Sequence, residues 1–373
     1  MNKVYADNGS TSFPKAPGVA DAVKDFLVNG GYNVGRGGYE ASYNIGGEVL
    51  RTRQLLCGLF KFNNPRNVIF TPSITYSLNM ILQGFLKSGD HVITTTMEHN
   101  GLMRPLHRLA QAGVTYDMVT DLKQIEKMIK PATKAVVMTH ASNVCGTIFP
   151  INKVGEICKR HGVRFIVDAA QTAGVMDIDM EFIDALAFTA HKGLLAPQGL
   201  GGFLVKDDFA GLIDPTITGG TGSASHQLDQ PHFLPDKFEA GTINLPAIMG
   251  LKKSLEYILE VGVTAIFEKE MVLVKRFIEG VDKICGVDII GKKDVVGRTA
   301  VVSLNFKGRD NAEVAALLDG EYGIMTRCGL HCSPNAHKTL GTYPHGTVRF
   351  SFGHFNTLEE VGYIIRCIKG ICA

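Results

Sequence analysis

Two residues of this chain stand where their types and spacing would do chemistry. FTAHKG (188–193) puts Lys192 just past an apolar run of strand character, and VDAAQ (167–171) ends the preceding such run on Asp168. A lysine amine forms a Schiff base with an aldehyde. A carboxylate keeps a proton on a pyridine nitrogen. An aspartate and a lysine at the ends of neighbouring buried strands therefore suit pyridoxal 5′-phosphate, whose protonated ring acts as an electron sink. A buried lysine without such a reason is costly.

Further polar residues fall at strand ends. In SITYSLN (73–79) a strand gives way to a helix, so the backbone amides around Ile74 and Thr75 are placed to cradle a phosphate, although an ordinary helix cap reads the same way. His99 in MEHNG follows a strand, where its ring could stack on a flat cofactor. Asn143 in THASNVCG ends another and could bond a ring substituent, or simply make a turn. Together with Asp168, Gln171, Thr189, His191 and Lys192 these residues would lie along one edge of one sheet, beyond the carboxyl ends of its strands.

The elements that must position them alternate. Strand-like runs at 67–71, 91–96, 114–120, 134–140, 163–168, 184–190 and 201–206 are interleaved with helical segments. That pattern predicts an α/β fold with a mainly parallel, seven-stranded sheet covered on both faces. A Gly-rich stretch at 218–236 reads as a long functional loop. One long helical stretch is expected from Pro246 to Gly280, then strands at 301–306 and 347–352 with helices around 311–318 and 357–369. The division is a large cofactor-binding domain over 15–250 and a smaller α+β domain over 251–373, joined by part of 1–14.

Composition excludes other classes. With 38 basic and 36 acidic residues in 373, the chain has no electrostatic footprint for nucleic acid or a membrane surface. No apolar run reaches bilayer length and the N-terminus carries no signal pattern, so a cytoplasmic protein is expected. The glycines of NGGYNVGRGG do not follow a strand, which argues against a dinucleotide fold.

The eight cysteines lack the spacing of a disulfide framework, and most read as small core residues. Cys332 in RCGLHCSP is different. It lies five residues after Arg327 on a segment marked as loop by Gly329 and Pro334, with Arg327 and His331 as sources of positive charge for a thiolate. A packed cysteine and a zinc site built from Cys328, His331, Cys332 and His337 are the other readings. The spacing fits no standard metal pattern, and no metal is expected.

Taken together, DNGSTS (7–12), NVGRGG (33–38), MEHNG, SNVCGT, VDAAQ, AHKGLLAPQGLG, FEAGTINLPAIMGL (238–251), RCGLHCSP and VRFSFGHFNTLEEV (348–361) resemble the class V aminotransferase superfamily of fold type I. Within it the chain is most similar to the cysteine desulfurases and selenocysteine lyases, in the short-loop, Suf-type-like group. The resemblance runs nearly end to end. It implies that Lys192 carries the cofactor, Asp168 meets its ring nitrogen, Gln171 its phenolate oxygen, and that His99 stacks on the ring. It gives Thr75, Thr189 and His191 to the phosphate, with Thr242 reaching across from the other subunit of a homodimer that shares its active sites. Asn143 and Arg349, with Arg327 nearby, are implied as the substrate carboxylate site, and Cys332 as the nucleophile that takes sulfur from L-cysteine as a persulfide, releasing L-alanine. Lys192 and His99 would move the protons.

The sequence departs from the family pattern at Gly35, where a histidine is common, and at Ser73–Ile74, where a polar pair is common. Ile74 offers only its backbone amide. Cys328 is an addition, placed either to resolve a persulfide or to pack. A selenocysteine lyase or another class V enzyme would keep Lys192 and Asp168. The acceptor of the sulfur, protein or small thiol, is not legible.

Overall fold

The computed structural model describes residues 3–34 and 37–372, so Gly35 lies outside the described residues. The N-terminal segment forms β1 (Val4–Tyr5), α1 (Val19–Asn29) and α2 (Glu40–Leu59). Then come β2 (Val68–Thr71), α3 (Ile74–Phe85), β3 (His91–Thr95), α4 (Asn100–Gln111), β4 (Thr115–Val119), α5 (Ile125–Met128), β5 (Thr133–Thr139), α6 (Ile151–His161), β6 (Arg164–Asp168), β7 (Ala185–Thr189) and β8 (Gly201–Val205).

The seven strands β2 to β8 form one sheet in the order β2-β8-β7-β6-β5-β3-β4. All neighbours are parallel except those of β8, which runs antiparallel to β2 and β7. The chain reaches β8 from β7 without a crossover helix, so it can only return in the opposite direction. Strands β5 to β7 are buried nearly throughout, as helices on both faces require. From β3 the chain steps outward to β4, then back to β5 on the other side. The switch between β3 and β5 is where a ligand crevice opens in such sheets. His99 follows β3 and Asn143 follows β5, so the two flank it.

After a short α7 (Asp207–Ala210), residues 211–244 carry no regular helix or strand. The expected single helix over 246–280 is two helices, α8 (Leu245–Val261) and α9 (Val263–Val281), broken at Gly262, whose φ of 87° an L side chain rarely adopts. The break separates two cores. Leu251, Leu255 and Ile258 of α8 pack with the large sheet, and a boundary at 250 falls inside that helix. Leu273, Val274 and Phe277 of α9 open a second core. That core is closed by the antiparallel sheet β12-β13-β10-β9, made of β9 (Val287–Ile290), β10 (Val301–Phe306), β12 (Arg327–Gly329) and β13 (Thr347–Ser351). Also in this unit are α10 (Asn311–Gly320), β11 (Ile324–Met325), α11 (Pro334–Thr339) and α12 (Leu358–Cys372). The N-terminal segment bridges the two units: β1 pairs parallel with β11, while α1 packs on α8. No helix among the described residues is long and apolar enough to cross a membrane.

Candidate active site

The floor of the site is the carboxyl edge of the large sheet. Asp168, the last residue of β6, is buried and accepts a 2.8 Å bond from the Ala170 amide. Burial raises its pKa, opposed by that bond and by the charge of Lys192. Burial pushes Lys192 down to about 8; Asp168 pulls upward while Arg349, Arg327 and Asp7 act at lesser strength. The lysine and aspartate are thus in one electrostatic neighbourhood, and the amine is held close to its neutral, nucleophilic form.

His99 caps α4, its Nδ1 accepting from the Gly101 amide at 2.9 Å. Because Nδ1 accepts, the ring proton sits on Nε2. Burial, aided by Lys192 and the nearby arginines, drives the imidazole to about 4, so it is neutral. His191 is pushed to about 4 in the same way. Its Nδ1 and the Oγ1 of Thr189 are buried without a hydrogen-bond partner. Close by, Ser73 makes no side-chain cap to α3, which leaves the first-turn amides of that helix without an acceptor. Gly201 lets this happen: a Cβ there would stand 2.7 Å from the Ile74 nitrogen. Thr75 is exposed at the same helix start. Gln171 spends one N–H on the Gly9 carbonyl at 3.0 Å.

The opposite wall belongs to the small unit. Arg349 on β13 is fully buried and stands across the ladder from Arg327 on β12. Its Nη1 donates to the Asn143 carbonyl at 3.0 Å, and its Nη2 to Asp7 Oδ1 at 2.8 Å and Ser10 Oγ at 2.7 Å. Arg327 donates to Ser10 Oγ at 3.1 Å and to Cys332 Sγ at 3.4 Å. Cys332 is exposed and sits with His331 on two successive left-handed residues, φ 49° and 59°, a costly backbone for non-glycine side chains. The turn is held from the large unit. Asn143 Nδ2 donates to the His331 carbonyl and Ser333 Oγ donates to Asn143 Oδ1, both at 2.8 Å, while the Asn100 amide donates to the Cys332 carbonyl at 2.7 Å.

The geometry changes three expectations. His331 does not charge the thiol: it is buried on Thr347 Oγ1, and burial beside Arg349 drives it to about 2. Arg327 alone supplies the positive charge in contact with Cys332. Of the two readings of Cys328, packing is the one the strand supports: alternation turns it to the face opposite Arg327, and it is half-buried and senses Asp310. Asn143 serves first as the clasp of the Cys332 turn, with one donor and its carbonyl oxygen committed to it.

A family match decides what this arrangement belongs to. The sequence model for "Aminotransferase class-V" matches residues 4–364. The chain belongs to the class-V aminotransferase family. Among its relatives is a probable cysteine desulfurase of Pyrococcus abyssi, 33% identical over 96% of this chain and 91% of that protein. Another, from Methanothermobacter thermautotrophicus, is 31% identical over 96% and 92%. The solved apo structure of a cysteine desulfurase from Thermococcus onnurineus NA1 superposes with a TM-score of 0.93 at 32% identity, covering 99% of this chain and 94% of that one. Class-V aminotransferases of this kind depend on pyridoxal 5′-phosphate. The floor fits the group: an acid for a ring nitrogen, a depressed lysine for an aldehyde, and orphaned Thr189, His191 and helix amides for phosphate.

Thr242 is exposed, in a cleft with Arg53, Thr221 and Glu239, and it also lines a second cleft with Pro72 and Tyr76 at the start of α3. Glu239 of FEAGT is itself buried, paired with Arg53 at 2.7 Å and accepting the Phe70 amide at 2.7 Å. Residues outside the sequence reading complete the site: Asp7, Ser10, Ser333 and Glu98. Glu98 is buried behind the floor between Thr95 Oγ1 and the Thr139 amide. A buried arginine implies an acid partner, and DNGSTS held one.

Proposed function

We propose that the protein is a pyridoxal-phosphate-dependent cysteine desulfurase that transfers the sulfur of L-cysteine to Cys332 as a persulfide and releases L-alanine. The observation that carries this reading is the contact of Arg327 with Cys332 Sγ, on the strand paired with that of Arg349. One wall thus holds a carboxylate-binding guanidinium and a charge-supported thiol side by side.

When bound, the cofactor supplies an electron sink for the α-carbon of the substrate. Thr75, Thr189, His191 and the start of α3 would hold its phosphate, Asp168 its ring nitrogen and Gln171 its phenolate oxygen, with His99 as the residue that would stack on it. Arg349 orients the substrate carboxylate. Lys192, its amine held down to about 8 by burial, removes the proton from the α-carbon. The Cys332 thiolate attacks the substrate sulfur; an S–S bond forms, the Cβ–S bond breaks, and its electron pair stays with the carbon skeleton. Lys192 returns the proton it removed, and the proton shed by the Cys332 thiol is the second that alanine needs, with Nε2–H of neutral His99 a hydrogen-bond donor to the reacting group. The sum is L-cysteine and a thiol giving L-alanine and a persulfide. The exposed position of Cys332 supports hand-over to an acceptor thiol in solution. The exposure of Thr242 supports a homodimer in which each Thr242 serves the other subunit's phosphate, and a cytoplasmic site of action belongs to the same reading.

Alanine release from L-cysteine under reducing conditions tests this, wild type beside Cys332→Ala. Turnover lost in the variant, with selenocysteine still cleaved, is the expected result. Equal cysteine turnover in both removes Cys332 from the reaction.

A further inference from the structure

Arg349 is already paired. A guanidinium has five N–H donors, and a carboxylate can be held by two parallel bonds on either of two edges, Nη1 with Nη2 or Nε with Nη2. Both edges need an Nη2 hydrogen. In this protein Nη2 gives its hydrogens to Asp7 Oδ1 at 2.8 Å and Ser10 Oγ at 2.7 Å. Nη1 has one hydrogen on the Asn143 carbonyl, and Nε is buried without a partner. A substrate carboxylate gripping Arg349 by two bonds must therefore take an Nη2 hydrogen from one of these two residues.

The residue to yield is Asp7. Two carboxylates on one guanidinium repel each other, whereas a neutral hydroxyl does not. Ser10 is also tied to Arg327 at 3.1 Å, and so to the wall that carries Cys332; its hydroxyl donates to Asp7 Oδ1 at 2.9 Å, a bond that Asp7 gives up when it leaves. The Asp7 side chain is 20% exposed, against 1% for that of Arg349, so it has solvent to swing into. Resting on the assignment of Arg349 to the substrate carboxylate, we infer that Asp7 is a resident carboxylate that occupies this arginine in the unliganded enzyme and sets, by competition, how tightly it takes the carboxylate of a substrate. It balances a buried cation that would otherwise be unpaired, and it discriminates against simple anions, which lack the further contacts that repay its displacement. Asp7 is a specificity-setting group and does not touch the reacting atoms.

The test uses the cofactor-loaded enzyme and propionate, a three-carbon carboxylate without an amine to react. Calorimetric titration of Asp7→Asn gives propionate binding about tenfold tighter than wild type, the scale of one charged hydrogen bond no longer contested. The KM for L-cysteine falls with it while kcat holds or drops, a split that a structural defect would not produce. Asp7→Ala, which removes the acceptor as well as the charge, repeats the tightening, and matching thermal unfolding and cofactor absorbance establish that both variants are folded. Propionate binding unchanged or weaker in both folded variants overturns the inference. Arg349→Gln separates the two readings: it abolishes propionate binding in either background if the assignment of Arg349 is right. Binding that survives in Arg349→Gln overturns that assignment and the inference with it.

Discussion

The floor and the wall of this site are built on opposite principles. On the floor, Thr189 Oγ1 and His191 Nδ1 are buried without partners, and the amides that open α3 have no side-chain cap. On the wall, Arg349, Arg327, Ser10, Asp7 and Asn143 have each found one another. Leaving buried polar groups unpaired costs free energy that a bound phosphate and ring return, so the floor is made to keep its ligand. The wall is largely satisfied, with Arg349 Nε the donor left unpaired on its guanidinium, so it gains less from a newcomer and ligands there come and go. A retained cofactor and a turned-over amino acid need this difference.

The largest break in the comparison comes from Lys192→Ala. It removes the floor residue proposed to bond covalently to the cofactor and to move the α-carbon proton. Visible absorbance of the bound cofactor should vanish and cysteine turnover fall by at least about a hundredfold. A retained absorbance band would sink the assignment. Arg327→Met acts on the wall alone. It keeps an unbranched apolar stem and removes the charge, and Cys332 should react with iodoacetamide about tenfold more slowly, the scale of one charge-assisted hydrogen bond. Cofactor absorbance should be unmoved; if it drops too, floor and wall are not separable.

Asn143 joins the two. Asn143→Ala takes the donor from the His331 carbonyl and the acceptor from Ser333 Oγ, leaving buried groups unpaired under a left-handed turn. A loss of about 1–3 kcal/mol in stability is expected, with Ser333→Ala costing less because one bond is removed. Heterogeneous alkylation rates at Cys332 would report the loosened turn. A rigid, singly reacting thiol in both variants would mean the turn holds itself.

The floor was legible in the sequence because its residues follow strands at regular intervals. Lys192, Asp168, His191 and His99 each come within a few residues of an apolar run, and parallel topology brings all such ends to one edge. The wall was legible as residues but not as contacts. Arg349 and Asp7 are 342 positions apart, and nothing in their spacing says that the N-terminal segment would lie between the units and pair with both. The misjudgements have the same origin. A charged His331 follows from its place beside Cys332, but burial against Thr347 neutralises it. A continuous helix over 246–280 follows from its apolar pattern, but one glycine at φ 87° divides it between two cores. Local pattern predicts elements and their ends; partners across 300 residues are set by how the two units meet.

The smallest effect is one of pH on the cofactor-free protein. His99, His140, His191 and His337 are driven to about 4 and His331 to about 2 by burial, so the unfolded chain binds their protons more tightly than the folded one. Stability therefore rises with pH from about 4 to the ordinary histidine value near 6.5. Glu98 and Glu270 run the other way: burial raises both to about 8, so the folded protein holds their protons and loses stability as pH climbs from the ordinary glutamate value through 8. Five histidines outweigh two glutamates below pH 6.5, and above it the glutamates act without them. Melting temperature should peak near pH 6.5 and decline gently towards 8. Glu98→Gln, which keeps the bonds to Thr95 and Thr139 within reach and removes the titration, should flatten part of that decline, as should Glu270→Gln in the seam between the units. A peak near 6.5 that survives unchanged in the double variant would place the alkaline loss on other groups, and with it the view that the floor is held together by neutral acids as much as by neutral histidines would fail.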